Sequence, residues 1–461
     1  MTNETICAIS TAPGVGGIAV IRISGKEAIS LCDRIFQPRK AGKSLALQPA
    51  YSLIYGTIVE KGEAVDDVMM ALFRAPHSFT GEDTVEITCH GSVYIQQRIL
   101  QLLVATGCRL AKPGEFTQRA FMNGKMDLSQ AEAVADLIAS TSAGQHRLAL
   151  SQMRGGFSQK LKELRAKLLH ITSLMELELD FADHEELEFA DRSELKELAV
   201  QIEQVISHLV HSFKVGNAIK NGIPVAIIGE TNAGKSTLLN ALLNEEKAIV
   251  SDIHGTTRDV IEDTMYIHGL QFRFIDTAGI RDTHDTIENL GIERTFQKLE
   301  QADIVLWVID LSEASQQITQ LSGKILPLCQ DKQLILVLNK SDMAENIPID
   351  LSGFPKQTKT IPISAKQKQG INELQSMLVE SAQIPALSQN DVVVSNVRHY
   401  EALSHALDAI HRVQDGLNND LSGDFISQDL RECIFHLSDI VGDVTTDEVL
   451  GNIFKHFCIG K

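Results

Sequence analysis

Gly229-Glu230-Thr231-Asn232-Ala233-Gly234-Lys235-Ser236 follows directly on the apolar run Pro224-Val225-Ala226-Ile227-Ile228. A strand, a glycine-bounded loop and a helix in that order wrap a triphosphate in backbone N–H groups. Asn232, Ala233, Gly234, Lys235, Ser236 and Thr237 would then border the phosphates. Lys235 would reach the β- and γ-phosphate oxygens, and the Ser236 hydroxyl would hold Mg²⁺. The loop alone leaves open which nucleotide binds.

Four further elements decide for GTP. Gly255-Thr256-Thr257-Arg258-Asp259 lies in a polar segment, where Thr256 or Thr257 can complete the Mg²⁺ shell only while the γ-phosphate is present. Asp276-Thr277-Ala278-Gly279 follows the strand-like Phe272-Arg273-Phe274-Ile275; Asp276 would hold Mg²⁺ through a water and the Gly279 amide would sense the γ-phosphate. Asn339-Lys340-Ser341-Asp342 ends the run Leu334 to Leu338, and the Asp342 carboxylate can accept from guanine N1–H and the exocyclic amine. Adenine offers a lone pair at that ring position and is repelled. Ser364-Ala365-Lys366 closes the base pocket. Any one of these short runs arises by chance; five in order do not.

Where many switch GTPases carry a water-orienting glutamine, this chain has Ile280, which cannot polarise water. Glu288 is the candidate replacement, although its position also suits a solvent-facing helix residue.

The chain has 461 residues, 44% apolar and 22% charged, which suits a soluble protein of several domains. Its 42 basic and 60 acidic side chains give a net charge of −18. Such a surface disfavours unguided attraction to nucleic acid or anionic membrane. Seven scattered cysteines without a CxxC pair read as reduced thiols, and no secretory signal or membrane-spanning run is visible, so the expected location is cytoplasmic. The acidic stretch from Asp180 to Asp191 reads as a solvated connection.

The expected fold is multidomain. Residues 1–122 show short β-like runs and one helical stretch, Val93 to Thr106, as in a small α+β domain. Residues 123–220 carry helical periodicity, with one long helix expected through Leu150, Phe157, Leu164 and Met175, and another from Leu195 to Phe213. Residues 221–382 alternate strands with helical segments, as an α/β P-loop (Ras-like) domain requires. Helical periodicity resumes over 383–461, so the nucleotide domain is read as an insertion within an all-α domain.

The whole pattern resembles the bacterial tRNA-modification GTPase family MnmE, also called TrmE. The resemblance is carried by Pro13-Gly14-Val15-Gly16-Gly17-Ile18, Arg22-Ile23-Ser24-Gly25 and Ser78-Phe79-Thr80-Gly81-Glu82-Asp83. Pro113-Gly114-Glu115-Phe116-Thr117, Arg119-Ala120-Phe121, Asn123-Gly124-Lys125, Ile280 and the terminal Phe457-Cys458-Ile459-Gly460-Lys461 complete it. It implies that residues 1–122 form a dimerising, tetrahydrofolate-binding domain in which Arg22, Glu86, Lys125 and Lys461 contact a methylene- or formyl-tetrahydrofolate. It further implies a K⁺ ion held by Asn232 and by the carbonyls of Ser251 and Ile253, with Thr256 nearby. Glu288 corresponds to a water-orienting carboxylate, and Cys458 to a cysteine that is either reactive or merely packed.

The implied activity is that of a homodimeric, K⁺-dependent GTPase, with Lys235 and Glu288 catalytic. With the flavoprotein MnmG, in a heterotetramer or larger complex, it would add a carboxymethylaminomethyl or aminomethyl group to C5 of the wobble uridine of certain tRNAs. The rival reading, a ribosome-assembly GTPase, calls for a basic module after the nucleotide domain, where this chain is helical and unbasic.

Overall fold

The computed structural model describes residues 4–40, 44–180, 192–244, 263–275, 299–343, 353–385, 392–444, 446–455 and 457–460. In chain order the described elements begin β1 (Ile6–Ile9), β2 (Ile18–Ser24), α1 (Ala28–Asp33), β3 (Phe36–Pro38), β4 (Ser52–Glu60), β5 (Glu63–Phe73), β6 (Thr84–His90), α2 (Val93–Thr106), β7 (Arg109–Leu110) and α3 (Glu115–Met122). Helices α4 (Leu128–Ala139), α5 (Ala143–Met153), α6 (Gly156–Asp180) and α7 (Arg192–Asn221) follow. Next come β8 (Ile223–Ile228), α8 (Lys235–Asn244), β9 (Asp263–Ile267), β10 (Leu270–Phe274), β11 (Ile304–Asp310), α9 (Ala314–Ile325), β12 (Gln333–Asn339), β13 (Lys359–Pro362) and α10 (Ile371–Ala382). The chain closes with α11 (Val397–Asn418), α12 (Gly423–Val441) and α13 (Asp447–Phe454).

Two units emerge from the contacts, one of residues 1–139, 149–206 and 401–461, the other of residues 140–148 and 207–400. The first holds a seven-stranded sheet in the order β3-β4-β5-β6-β2-β1-β7, antiparallel except for β1 against β7. Its strands alternate buried and open positions, as a sheet with two different faces demands. One face buries Ile21, Ile23, Val85 and Ile87 with Ile99 and Leu103 of α2. The register sets Leu53, Ala71, Glu86, Arg22 and Ala8 side by side on the other face. In the helical part of this unit α6 packs on α12, and α13 on α3.

The single helix expected through Leu150 and Met175 is two. Gly155 has φ +85°, a conformation that ends α5 and lets α6 start one residue later. Alternation of apolar residues continues across this break, which is why periodicity alone concealed it.

The second unit holds a six-stranded sheet, β13-β12-β11-β8-β10-β9, in which only the edge strand β9 runs antiparallel. Strands β8, β11 and β12 are buried on both faces and accordingly read as unbroken apolar runs. Residues 140–148 belong here: Thr141 Oγ1 lies 2.6 Å from the Tyr266 hydroxyl on β9, and Gln145 Nε2 donates to Gln271 Oε1 on β10 at 2.8 Å. All seven cysteines are free thiols; six are buried and Cys458 is exposed. Among the described residues no helix is long and apolar enough to cross a membrane.

Candidate functional site: the phosphate loop and base pocket

Ligands of open parallel sheets gather at the carboxyl ends of the strands. There, β8 leads through Gly229 into a loop that ends at the first residue of α8, Lys235. The Lys235 ammonium donates to the carbonyls of Gly229 and Glu230, both at 2.7 Å, so it bridges the loop where phosphate oxygens would compete for it. Ser236 stands one residue on, in the first turn of α8. Asn232, exposed and at φ +65°, makes no side-chain hydrogen bond to another described residue.

Asn339 ties this loop to the base pocket. It is 3% exposed; its Nδ2 donates to the Ala233 carbonyl at 2.8 Å and its Oδ1 accepts from the Ala365 amide at 3.0 Å. Gly234 permits the approach: it has φ +96°, and a Cβ there would lie 2.1 Å from Asn339 Nδ2. Asp342 is exposed beyond the strand end, with Gln367 Nε2 donating to it at 3.3 Å. Ser364 and Ala365 are buried, whereas Lys366 and Thr237 are exposed. The structure thus brings Asn232, Ala233, Gly234, Lys235 and Ser236 into one loop, and ties that loop through Asn339 to Ala365.

Lys340 turns left-handed at φ +64°, and its ammonium meets Asp310 Oδ2 at 2.6 Å. Sequence reasoning missed Asp310. Its place at the carboxyl end of a buried parallel strand was the available signal. Burial alone would raise its carboxyl, but hydrogen bonds from Lys340 and Ser312 outweigh that and hold it below the usual carboxylate range.

Ser251, Ile253, Thr256, Thr257, Asp276, Thr277, Ala278, Gly279, Glu288 and Lys461 lie outside the described residues. Of the expected Mg²⁺ ligands only Ser236 is therefore described, and of the expected K⁺ ligands only Asn232. Among the described residues no three His, Cys, Asp or Glu side chains are grouped to hold a metal.

In the first unit Arg22 Nε donates to Glu86 Oε1 at 2.8 Å, while its guanidinium lies over Phe79 and Phe116 at 5.5 and 5.8 Å. Lys125 is not in this pair; its ammonium donates to the Pro76 carbonyl at 2.9 Å, in the same 74–83 loop that carries Phe79. The chain end returns to this sheet. Ser10 Oγ donates to the Gly460 carbonyl at 3.0 Å, and the Gly114 amide to that of Cys458 at 3.4 Å. The guanidinium–carboxylate pair, with Phe79 and the fully buried Phe116 against the guanidinium, groups donors and acceptors on one face of the sheet.

A parallel sheet, a phosphate-binding loop at a helix N-terminus and an Asn-Lys-x-Asp strand end define a P-loop GTPase. The chain belongs to the family of the tRNA modification GTPase MnmE. Residues 5–125 match the family described as GTP-binding protein TrmE N-terminus, and residues 128–458 match the MnmE helical domain. The tRNA modification GTPase MnmE of Parabacteroides distasonis is 71% identical over 460 residues, covering 99% of this chain and 100% of that one. The protein of the same description from Bacteroides thetaiotaomicron is 68% identical over 467 residues, with both chains covered fully. Among solved structures, Era in complex with MgGDPNP and part of 16S ribosomal RNA is similar at a TM-score of 0.27, with 29% identity over 40% of this chain and 66% of that one.

Proposed function

We propose that this GTPase is K⁺-dependent and works with an MnmG-type flavoprotein to place an aminomethyl-type group, such as carboxymethylaminomethyl, on C5 of the wobble uridine of certain tRNAs. The observation that carries the nucleotide half is the Asn339 tie, which holds phosphate loop and base pocket in one geometry. Lys235 exchanges the carbonyls of Gly229 and Glu230 for β- and γ-phosphate oxygens. Asp342 accepts from the guanine edge, and Ser364 and Lys366 flank the base. Ser236, with Thr257 or Thr256 and with Asp276, holds Mg²⁺; Thr277, Ala278 and Gly279 border the γ-phosphate.

The open side chain of Asn232, with the carbonyls of Ser251 and Ile253, suits a K⁺ ion, which when bound offsets charge on the transferring phosphoryl group. Glu288 orients the attacking water through a bridging water, since Ile280 cannot. Hydrolysis drives closing and opening of the nucleotide domains, separately from the uridine chemistry.

The one-carbon unit comes from a methylene- or formyl-tetrahydrofolate held by Arg22, Glu86, Lys125 and Lys461, with Cys458 beside it; glycine or ammonium supplies the amine. A second copy of the chain is the proposed partner of the open sheet face. Leu53 and Tyr55 are 60% and 50% exposed there, and Met69 is 39% exposed, a grouping of apolar side chains that self-association would cover. The flavin and NADH belong to the flavoprotein, which also grips the tRNA. That division suits a chain of net charge −18 working in the cytoplasm.

Enzyme kinetics and tRNA analysis test the two halves of the proposal. Replacing K⁺ by Na⁺ is expected to slow GTP turnover at least about tenfold, and Glu288→Ala to slow it about 10²–10³-fold with GDP affinity kept. Equal turnover in both salts would refute the potassium assignment. In cells lacking the protein, nucleoside analysis is expected to show tRNA without the C5 group. An unchanged wobble uridine would refute the tRNA half and leave the GTPase intact.

A further inference from the structure

We infer that Asp310 is a positioning residue for guanine recognition: it anchors the Lys340 ammonium so that the lysine stem walls the base pocket and Asp342 stays open to the base. The inference rests on the guanine pocket proposed above.

The parallel register of β11 and β12 sets Asp310 beside Asn339, so the residue after Asn339 turns its side chain within reach. Both carboxylate oxygens are committed. Oδ1 accepts from the Ser312 amide at 3.1 Å and from the Ser312 hydroxyl at 2.7 Å, leaving Oδ2 aimed at Lys340 Nζ at 2.6 Å. The carboxylate is thus fixed by its own turn before the lysine arrives. The Asp310 side chain is 14% exposed and that of Lys340 34%, so the pair is poorly screened on one side while the stem keeps an open flank.

Two consequences follow for the ligand. A free lysine has several rotatable bonds to order when a base lies against it, and anchoring removes that cost beforehand. A free ammonium two residues from Asp342 also competes with guanine for the same carboxylate, whose described side-chain partner is the weakly placed Gln367. Held by Asp310, the charge is spent elsewhere and the methylene stem offers the purine an apolar surface.

The test uses the full chain, with GDP affinity by titration and GTP turnover by steady-state kinetics. Asp310→Asn keeps one acceptor for Ser312 and puts an NH₂ donor where Oδ2 receives the Lys340 ammonium, so it removes both the charge and the acceptor that anchor the lysine. It is expected to raise the Kd for GDP and the KM for GTP about tenfold, with kcat within about twofold. Asp310→Glu, which keeps the charge, is expected to bind GDP within about threefold of the unaltered protein. Because Asp310 acts through Lys340, Asp310→Asn combined with Lys340→Met should bind no more weakly than Lys340→Met alone. Unchanged affinity in Asp310→Asn, an equal loss in Asp310→Glu, or additive losses in the double variant would each overturn the inference. Asp342→Ala separates the two failures. If it weakens GDP binding while Asp310→Asn does not, only the role of Asp310 falls; if it binds GDP normally, the guanine pocket falls and Asp310 with it.

Discussion

Asn339→Ala is expected to weaken GTP and GDP binding by about two orders of magnitude. The side chain is nearly inaccessible and serves two loops at once, through the Ala233 carbonyl and the Ala365 amide. Truncation leaves a buried acceptor and a buried donor without partners, at about 1–3 kcal/mol each. The loops can recover those bonds only from water, by opening, and the geometry they lose is the one the nucleotide selects. The amide orientation is dictated by its neighbours, since a flipped side chain would face donor with donor at Ala365 and acceptor with acceptor at Ala233. Asn339→Asp therefore makes a sharper probe. Its carboxylate still accepts from Ala365 but cannot donate to Ala233, and the two oxygens repel. Gly234→Ala attacks the same tie from the other side, because its methyl would intrude 2.1 Å from Asn339 Nδ2 on a backbone of φ +96°. All three variants should lose affinity together, with a lower Tm in the nucleotide-free protein. Binding of GDP within about threefold in Asn339→Ala would show that the tie does not organise the pocket.

The nucleotide half was legible because a parallel sheet maps sequence order onto place. Each motif that follows an apolar run falls at the carboxyl end of a strand, so Gly229 to Ser236, Asn339 to Asp342 and Ser364 to Lys366 meet without further information. What stayed hidden depends on register and on distant pairing. Asp310 sits beside Asn339 only because β11 and β12 pair in a particular alignment, which no local pattern encodes. The approach of Gly460 to Ser10 joins positions 450 residues apart. Arg22 and Glu86 entered through resemblance alone, yet the antiparallel register makes them direct neighbours. The motif around Ser78 to Asp83 likewise had no physical reading in the sequence. Glu82 explains part of it, accepting from Ser24 Oγ at 2.8 Å and from Arg119 at 3.0 Å.

Glu115→Ala is expected to destabilise the first unit by about 1–3 kcal/mol. Glu115 opens α3, and its side chain is only 9% exposed. It accepts from Arg109, from Arg119 at 3.1 Å and from the Lys112 amide at 2.8 Å, and Arg109 and Arg119 continue the chain of charges to Glu4 and Glu82. Burial alone would raise the carboxyl, but the bonds from Arg109, the Lys112 amide and Arg119 outweigh it and hold the group below the usual carboxylate range. Removing it leaves Arg109 with Glu4 and Arg119 with Glu82 but takes away the carboxylate that joins the two guanidiniums, and leaves the Lys112 amide without its acceptor, at the base of the helix whose next residue, Phe116, lies under Arg22. The sign of the pH dependence follows. A carboxyl whose folded-state pKa is depressed stabilises at pH values above its unfolded value of about 4.3, and that stability is lost as pH falls through the folded value. The unaltered protein should therefore lose stability more steeply below about pH 4 than Glu115→Gln, which has no charge to lose. Amide exchange in α3 and β7 should accelerate in Glu115→Ala at neutral pH, while GDP affinity in the second unit stays unchanged. If exchange in α3 keeps its ordinary rate, the helix is held by its apolar face alone and the charge network contributes nothing to its docking.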